Sequence, residues 1–212
     1  MRETVVVAGA PWRWSADFVA LVRRAALVLA ADGGANHLAR IGVRPDAVVG
    51  DLDSIRPEVR CWIGEERMVS RADQELTDLQ KTLAYAFDER GAERVTVLAA
   101  TAGRLDHALA NLGVLGEWAG RGEVELRDGR QRVVAVAGAR TLATFPGQVV
   151  SLMPLGRCGR VWTAGLRWRL DGEPLDPAGR TGVSNVAEAD TIELRVEDGI
   201  LLVFLSQAAA EG

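Results

Sequence analysis

The sequence predicts an α/β protein in which a parallel-sheet domain is followed by a smaller antiparallel β-sandwich domain. Short apolar runs alternate with amphipathic stretches through residues 1–128, as in sheets whose strands are joined by crossover helices. The runs are nearly unbroken in their apolar character, which is typical of strands covered on both faces. After Asp128 the runs become glycine-punctuated, without helix-length segments between them. We therefore predict two domains, 1–128 and 129–212.

The elements of the first domain are expected to be short and to alternate strictly. Strands are predicted at Thr4–Ala8, Ala26–Ala30, Ala47–Val49, Arg67–Ser70, Val95–Ala99 and Val124–Leu126. Helices are predicted near Ser15–Arg24, from Gly34, after Pro57, and at Thr77–Arg90 and Leu105–Trp118. Because parallel strands end at one edge of a sheet, the loops after them are expected to form the ligand site.

Two of these helices carry local signals. Thr77 with Gln80 fits a capping box, and Leu79, Leu83 and Phe87 are expected to be its buried stripe. In the last helix the predicted core stripe is Leu105, Leu109, Leu112 and Leu115. Both helices therefore begin at polar motifs and are held by apolar faces.

The second domain is predicted to be a sandwich or a partial barrel. Its expected strands are Arg132–Ala137, Thr141–Phe145, Val149–Met153, Arg160–Ala164, Thr191–Val196 and Ile200–Leu205. The final residues, 208–212, are expected to be frayed. A core this small has edges to protect, and a second copy of the chain is one way to cover them.

Charge and composition restrict the partners. The net charge is -4, and the whole acidic excess lies in residues 1–128. Without a basic stripe, a nucleic-acid polymer is not an expected partner, whereas a bound cation is. Cys61 and Cys158 lack a ligand-like spacing, and the start of the chain has no secretory pattern. The longest apolar stretch, Ala25–Ala31, is too short to cross a bilayer, so we expect a cytoplasmic protein with reduced thiols and no membrane partner.

Acidic residues follow several apolar runs directly. They are Asp32 in ADGGAN, Asp51 and Asp53 in GDLDS, Asp73 and Asp78 in DQELTD, and Asp106 in GRLDH. Magnesium takes such hard oxygen ligands together with substrate phosphates. The pattern predicts a Mg²⁺-dependent phosphate site, although Asp32 also suits a turn and GDLDS also suits a capping turn before Pro57.

The spacing within GDLDS leads to a geometric expectation. In an extended segment Leu52 would face away from its neighbours, leaving Asp51 and Asp53 on one side and roughly 6 to 7 Å apart. Ser54 adds a hydroxyl, which is also a hard ligand. One metal ion or a pair of ions would fit between these carboxylates.

Three basic residues are candidates for phosphate binding or catalysis. Lys81 is the single lysine beside 24 arginines, which suggests either a position that requires an ammonium group or a simple helical pair with Asp78. Arg104 offers bidentate donors, and Asp106 beside it is a possible metal ligand or general base. His107 is either catalytic or structural.

In the second domain the motifs GLRW and GVSN are weaker. Trp168 can stack on an aromatic ligand, or it can belong to a core or interface. Ser184 and Asn185 can hydrogen-bond a heterocycle. The residues alone leave these alternatives open.

Taken in order, ADGGAN, GDLDS, DQELTDLQK, GRLDHALAN, GLRW and GVSN resemble the thiamine pyrophosphokinase (thiamine diphosphokinase) family from about Ala31 to Leu205. The resemblance implies an α/β ATP-binding catalytic domain and a β-sandwich domain that binds thiamine and dimerises. It implies a homodimer that uses Mg²⁺ to transfer a pyrophosphoryl group from ATP to the hydroxyl of thiamine, giving thiamine diphosphate and AMP.

The resemblance also assigns roles to residues. It implies catalytic carboxylates at Asp51, Asp53, Asp78 and Asp106, of which Asp51, Asp53 and Asp78 would bind metal. Nucleotide-binding candidates are Asp32, Asn36, Ser54, Gln74, Thr77, Lys81, Arg104 and His107. Trp168, Ser184 and Asn185 match the region that contacts thiamine across the dimer interface. Ala102 departs from the family by replacing a common glycine, which is harmless if its φ is not positive.

Two other functions fit the same residues. A Mg²⁺-dependent hydrolase or nucleotidyltransferase would use the acidic rim on another substrate. A non-catalytic sensor would bind a nucleotide or a vitamin without releasing AMP, but so many carboxylates beside phosphate argue against a pure binder.

Overall fold

A computed structural model describes residues 3–207, so the predicted fraying of 208–212 concerns residues outside the described part. The chain divides into two compact units: residues 1–114 with 122–128, and residues 115–121 with 129–212. No helix in the described part of the chain is long and apolar enough to cross a membrane. Cys61 is exposed, Cys158 is buried, and both are free thiols.

The first unit is built on a six-stranded sheet in which every neighbouring pair is parallel. Its strands are β1 (Thr4–Val7), β2 (Leu27–Ala31), β3 (Ala47–Gly50), β4 (Met68–Ser70), β5 (Arg94–Leu98) and β6 (Glu123–Arg127). Their spatial order is β6-β5-β1-β2-β3-β4. The strand order reverses direction between β1 and β5, which is where ligands bind in open parallel sheets.

Helices connect most of these strands. They are α1 (Ala16–Arg24), α2 (Gly34–Arg40), α3 (Pro57–Ile63), α4 (Asp78–Ala84) and α5 (Leu105–Glu117). A 3₁₀ turn follows α3 at Glu65–Arg67, and a π-helical turn extends α4 over Tyr85–Glu89. The predicted elements of this unit are all present, with bounds that differ by one or two residues where the predictions stated them.

The core of the first unit confirms the apolar pattern of its strands. Val5, Val48 and Val97 are completely buried, as continuous apolar runs in a covered sheet require. The predicted stripe of α5 is wrong at its start, because Leu105 is 85% exposed and Leu109 is 67% exposed. Helical periodicity identified an apolar face, but it does not say whether a neighbour covers that face.

The second unit is antiparallel. Its strands are β7 (Gln131–Ala143), β8 (Val149–Pro154), β9 (Cys158–Ala164), β10 (Asp171–Leu175), β11 (Gly182–Val186) and β12 (Thr191–Ser206). β12 pairs with β7 along its whole length, and with β9 and β8 in its first and second halves. The fully buried side chains of this unit, such as Leu152, Ile192 and Leu201, belong to one core cluster.

Two corrections concern this unit. The two runs predicted on either side of Gly138 are one strand, and so are the two runs around Asp198 and Gly199. Gly138 has a φ of +77°, and the pairing with β12 is irregular between Val196 and Leu201. These glycine-containing segments look like turns in the sequence, but they form an irregularity within long strands. Strands β10 and β11 were not predicted.

Candidate active site

Three carboxylates from separate segments converge at the carboxyl edge of the parallel sheet. Asp32 follows β2, Asp51 follows β3, and Asp78 begins α4. A carboxylate oxygen of each lies within 4.8 Å of one oxygen from each of the other two. We call Asp32, Asp51 and Asp78 the acid trio. The three residues are thus far apart in the sequence but close together in space, as the alternation of strands and helices predicts.

Asp32 is the most constrained member of the acid trio. It is 5% exposed and has a φ of +40°, an uncommon conformation for a residue with a side chain. Its backbone N–H donates to the carbonyl of Val49 at 2.9 Å, which fixes it beside β3. Its Oδ1 is buried and has no hydrogen-bond partner within residues 3–207. A buried acceptor without a donor is a natural ligand for a cation.

Gly50 allows the acid trio to assemble. It has a φ of +154°, and a Cβ at this position would lie 2.9 Å from both the Cβ of Asp32 and Oδ1 of Asp78. Real Cβ atoms do not approach other atoms so closely, so a larger residue would push the carboxylates apart. The glycine that begins GDLDS is therefore part of the site.

The electrostatics of the trio call for a cation. Burial raises the pKa of Asp32, and the neighbouring carboxylate of Asp78 raises it further. Lys81, which is 7% exposed, supplies one ammonium group, with Nζ 3.2 Å from Oδ1 of Asp78. One ammonium does not balance three carboxylates. Their hard oxygen donors, together with the unpartnered Oδ1 of Asp32, fit Mg²⁺.

The geometry predicted for GDLDS is wrong. Leu52 has a φ of +70°, so residues 51–53 are not extended. Asp53 is exposed and accepts a hydrogen bond from Oγ of Ser54 at 2.8 Å. Asp53 lies outside the acid trio, whereas Asp32, one of the acidic residues from which the Mg²⁺ site was predicted, belongs to it.

A cavity of about 600 Å³ in the first unit is lined by seven of the predicted site residues. The predicted residues that line it are Asp32, Ser54, Thr77, Asp78, Arg104, Asp106 and His107. Its remaining lining includes the Gly9–Pro11 loop after β1. Its volume lies within the range typical of small-molecule sites.

Arg104 and Asp106 form a bidentate ion pair at the mouth of this cavity. Nε of Arg104 lies 3.1 Å from Oδ1 of Asp106, and Nη2 lies 2.5 Å from Oδ2. The guanidinium group lowers the pKa of Asp106 to about 2. Asp106 is therefore a weak base, and its visible role is to orient Arg104.

Other predicted residues have structural contacts. Thr77 and Gln80 form the predicted capping box. Asn36 uses its whole amide to join α2 to the loop after β3: Nδ2 donates to the carbonyl of Ser54 at 2.8 Å, and Oδ1 accepts from the N–H of Arg56 at 3.0 Å. Gln74 is exposed and lies outside the cavity lining. Lys81 pairs with Asp78, as the simpler interpretation of that residue predicted.

Two details of the loop before α5 bear on the site. Ala102 does not have a positive φ, whereas Gly103 has a φ of +87°, so the replacement of glycine at 102 causes no strain. Asn111 also lines the cavity and was not predicted; its Nδ2 donates to the carbonyl of Ala100 at 2.8 Å. Its position four residues after His107 on α5 was the available signal.

The predicted thiamine residues lie in the second unit. Trp168 is 58% exposed, so it is not a core residue. Asn185 is buried, and its amide exchanges two hydrogen bonds with the backbone of Trp168, at 3.1 and 2.7 Å. Both residues line a cavity of about 130 Å³. Ser184 lies beside them with a φ of +59°.

Comparisons with known proteins agree with this arrangement. Residues 18–124 match the model of the thiamin pyrophosphokinase catalytic domain. Residues 140–201 match the thiamin pyrophosphokinase vitamin B1 binding domain. The chain belongs to the thiamine pyrophosphokinase family.

Relatives in this family come from plants and bacteria. Thiamine pyrophosphokinase 1 of Oryza sativa subsp. japonica is 29% identical over 216 residues, covering 84% of this chain and 78% of the relative. Thiamine pyrophosphokinase of Bacillus subtilis is 30% identical over 118 residues, covering 54% and 55% of the two chains. These matches support an enzyme of the thiamine pyrophosphokinase family.

Solved structures share the fold. A crystal structure of thiamine pyrophosphokinase from Bacillus subtilis superimposes with a TM-score of 0.83 at 22% identity, covering 97% of this chain and 99% of that one. The yeast thiamin pyrophosphokinase structure has a TM-score of 0.79 at 18% identity, with 97% and 86% coverage. The fold thus persists where the sequences have diverged widely.

Proposed function

We propose that this protein transfers a pyrophosphoryl group from ATP to the hydroxyl of thiamine in a Mg²⁺-dependent reaction that releases AMP. Membership of the thiamine pyrophosphokinase family implies the transfer itself. The observation that carries the metal dependence is the acid trio, in which Oδ1 of Asp32 is buried and has no partner within residues 3–207. Two of its members, Asp32 and Asp78, line the cavity that also presents Arg104. A phosphate-binding site with three converging carboxylates requires a cation.

The reaction balances as a single displacement. The hydroxyl oxygen of thiamine forms a bond to the β-phosphorus, and the bond from that phosphorus to the oxygen bridging the α-phosphate breaks. The electron pair stays with AMP, and the hydroxyl proton passes to a base. Most of the rate enhancement is expected from positioning and electrostatics.

Different residues of the first unit have different proposed roles in this reaction. Asp32, Asp51 and Asp78 would hold Mg²⁺, which when bound offsets the charge of the phosphates. Arg104, whose guanidinium group is oriented by Asp106, would donate to phosphate oxygens. Asp106, considered above as a general base, is a weak one, since its pKa is held at about 2. Asp53 remains a predicted catalytic carboxylate in the loop after β3.

The second unit is proposed to bind thiamine through Trp168, Ser184 and Asn185. The exposed indole of Trp168 offers a face for stacking, and the backbone bonds of Asn185 hold that segment in place. The cavity beside them is small for a thiamine molecule. A homodimer, in which a second copy completes this site, is therefore part of the proposal, as is the cytoplasmic location expected from the sequence.

One incubation tests the function. The protein is mixed with ATP, Mg²⁺ and thiamine, and the products are identified by mass spectrometry. We expect thiamine diphosphate and AMP in equal amounts, with no AMP when thiamine is omitted. AMP with free pyrophosphate and no thiamine diphosphate would instead identify a hydrolase, and binding of both ligands without AMP would identify a sensor.

A further inference from the structure

Thr82 is a buried polar residue of α4 that lines neither the cavity beside Arg104 nor the one beside Trp168. Its exposed fraction is 0%. It is therefore not placed to touch a ligand in either cavity. Buried polar groups are normally hydrogen-bonded within the protein, so the partners of Thr82 indicate what it does.

The hydroxyl of Thr82 lies between two segments that carry members of the acid trio. Oγ1 donates a hydrogen bond to the carbonyl of Asp78 at 2.6 Å, and it lies 3.5 Å from the carbonyl of Val49 in β3. A hydroxyl has one proton, so the bond to Asp78 is the strong one and the contact with Val49 is its weaker branch. The first contact reaches a trio member, and the second reaches the strand that leads to Asp51.

The carbonyl of Val49 also holds the third segment of the trio. It accepts a hydrogen bond from the backbone N–H of Asp32 at 2.9 Å. Val49 is separated from Asp51 only by Gly50. The backbone segments of all three trio members therefore meet around one carbonyl oxygen of β3 and one hydroxyl of α4.

Part of this arrangement is an ordinary feature of helices. Threonine side chains often bond to the carbonyl four residues earlier in their own helix, and the bond from Thr82 to Asp78 has this spacing. The contact with Val49 is different, because 33 positions separate the two residues in the chain. It joins α4 to β3, so Thr82 does more than satisfy its own helix.

The space between the start of α4 and the end of β3 is narrow. A Cβ at Gly50 would lie 2.9 Å from Oδ1 of Asp78, so the two segments approach closely only because residue 50 is glycine. The hydroxyl of Thr82 fills a similarly close contact. A donating oxygen can lie 2.6 Å from a carbonyl oxygen, whereas a carbon atom needs about 3.3 Å or more. A methyl group in place of the hydroxyl would therefore push Asp78 away.

We infer that Thr82 is a positioning residue for the metal site. Its hydroxyl sets the separation between α4 and β3, and thereby the separation of the Asp78 carboxylate from those of Asp51 and Asp32. This inference rests on the proposed function, in which these carboxylates would hold Mg²⁺. Magnesium requires near-ideal geometry with oxygen ligands at about 2.0 to 2.1 Å, so a small displacement of one carboxylate weakens binding. Groups that orient metal ligands without touching the metal have this effect.

The test measures Mn²⁺ binding by electron paramagnetic resonance, without nucleotide or thiamine. Mn²⁺ shares the preference of Mg²⁺ for carboxylate oxygens, and its signal reports the concentration of the free ion. Thr82→Val removes the hydroxyl and keeps the branched shape, whereas Thr82→Ser keeps the hydroxyl. Asp51→Asn identifies the part of the Mn²⁺ binding that belongs to the acid trio.

Thr96→Val is the matched control. Thr96 is also 0% exposed, and its hydroxyl lies 3.2 Å from Oε1 of Glu125 and 3.4 Å from Oε1 of Glu3. Neither glutamate belongs to the trio, so this variant loses a buried hydroxyl of the same sheet without disturbing the trio's contacts. Its melting temperature should fall. Its Mn²⁺ affinity should stay within about twofold of the wild type.

We expect Thr82→Val to bind Mn²⁺ about tenfold more weakly than the wild type, as when a group that orients a metal ligand is lost. Thr82→Ser should stay within about twofold, because the donor remains. Unchanged affinity in Thr82→Val would overturn the inference. An equal loss in Thr96→Val would also overturn it, since the cause would then be a general loosening of the fold. So would an equal loss in Thr82→Ser, because the hydroxyl would not be the decisive group.

Thermal melting shows whether Thr82→Val folds. If it does not, Thr82→Ala replaces it, because alanine places no carbon atom at the close contact. The expected loss of Mn²⁺ affinity is then about threefold, which corresponds to one hydrogen bond. An unchanged affinity in this variant would count against the inference in the same way.

Thiamine diphosphate formation separates this inference from the proposed function. If the wild type makes thiamine diphosphate and Thr82→Val keeps its Mn²⁺ affinity, the inference fails and the function stands. If the wild type makes none, but its Mn²⁺ binding depends on Asp51 and on the hydroxyl of Thr82, the function fails and the inference stands. If Asp51→Asn removes no Mn²⁺ binding, the inference fails, and the products alone decide the function.

Discussion

Asp32 follows strand β2, Asp106 lies in the first turn of helix α5, and both line one cavity, yet their surroundings are opposite. Asp32 is buried, has an unpartnered oxygen, and its pKa is raised by burial. Asp106 is exposed, and Arg104 lowers its pKa to about 2. Among residues 3–207, no basic side chain forms an ion pair with Asp32, whereas Arg104 pairs with Asp106.

This difference assigns chemistry that residue type alone does not. A buried carboxylate beside two others favours a bound cation, because the negative charges repel one another and a cation offsets that repulsion. A carboxylate already neutralised by a bidentate arginine is suited to orienting that arginine. Acidic residues that follow two strands of one sheet, β2 and β5, thus have different surroundings.

The largest expected effect is at the acid trio. Asp51→Asn removes one of the three carboxylates, and kcat should fall by about a hundredfold or more, as when a group that stabilises transition-state charge is lost. The measurement is thiamine diphosphate formation over a Mg²⁺ titration. Asp88→Asn, an exposed carboxylate on the π-helical turn, is the matched control and should retain normal activity.

The variant Asp53→Asn tests whether the role that the family resemblance implies for Asp53 holds, although this residue lies outside the acid trio. The resemblance predicts that this variant loses turnover as fully as Asp51→Asn. The position of Asp53 outside the trio predicts a smaller loss. Equal losses would show that the loop rearranges to bring Asp53 to the metal.

Removing the arginine of the exposed pair should have the next largest effect. Arg104→Gln removes the guanidinium group proposed to donate to phosphate and should lower kcat/KM for ATP by about ten- to a hundredfold, which corresponds to one or two charge-assisted hydrogen bonds. Arg104→Lys keeps the charge and should recover only part of the loss. Full activity in Arg104→Gln would remove this residue from the phosphate site.

Asp106→Asn should reduce activity less than the loss of Arg104, because the guanidinium group remains but is less well oriented. Since the pKa of Asp106 is about 2, its carboxylate stays ionised at any pH at which the enzyme is assayed. The acidic limb of the pH–rate profile should therefore keep the same apparent pKa in Asp106→Asn. A shift of that limb would identify Asp106 as a titrating base.

The smallest effect concerns His37, a buried residue of helix α2. Burial and the charge of Arg40 lower its pKa from the ordinary value of 6.5. Below about pH 6.5 the unfolded chain therefore binds a proton that the folded chain resists, so folding stability falls as the pH decreases. One proton contributes at most about 1.4 kcal/mol per pH unit.

Urea unfolding at several pH values measures this contribution. The difference in free energy of unfolding between the wild type and His37→Gln should shrink as the pH falls from 7.5 to 5.5. A difference that stays constant would mean that the pKa of His37 is not lowered by folding.

Much of the first unit was predictable because its signals are local. Apolar runs identified the six parallel strands, and the pairing of Thr77 with Gln80 was predicted from two residues of one helical turn. In the second unit, Gly138 and the Asp198–Gly199 pair were interpreted as turns because glycine favours both turns and bulges. Only the pairing of β7 with β12 distinguishes the two.

The sequence by itself determined the α/β class, the order of the acidic motifs and the family. Strand and helix periodicities and short motifs depend only on residues that are close together in the chain. Tertiary structure decided which carboxylates lie together. Asp32 lies close to Asp51 and Asp78, whereas Asp53, which follows a residue with a positive φ (Leu52), lies outside the trio. It also decided that Leu105 is exposed and that the hydroxyl of Thr82 lies beside β3. Loop torsions, the burial of side chains and the distances between them depend on residues far apart in the chain. Together they determine the charge balance of each site.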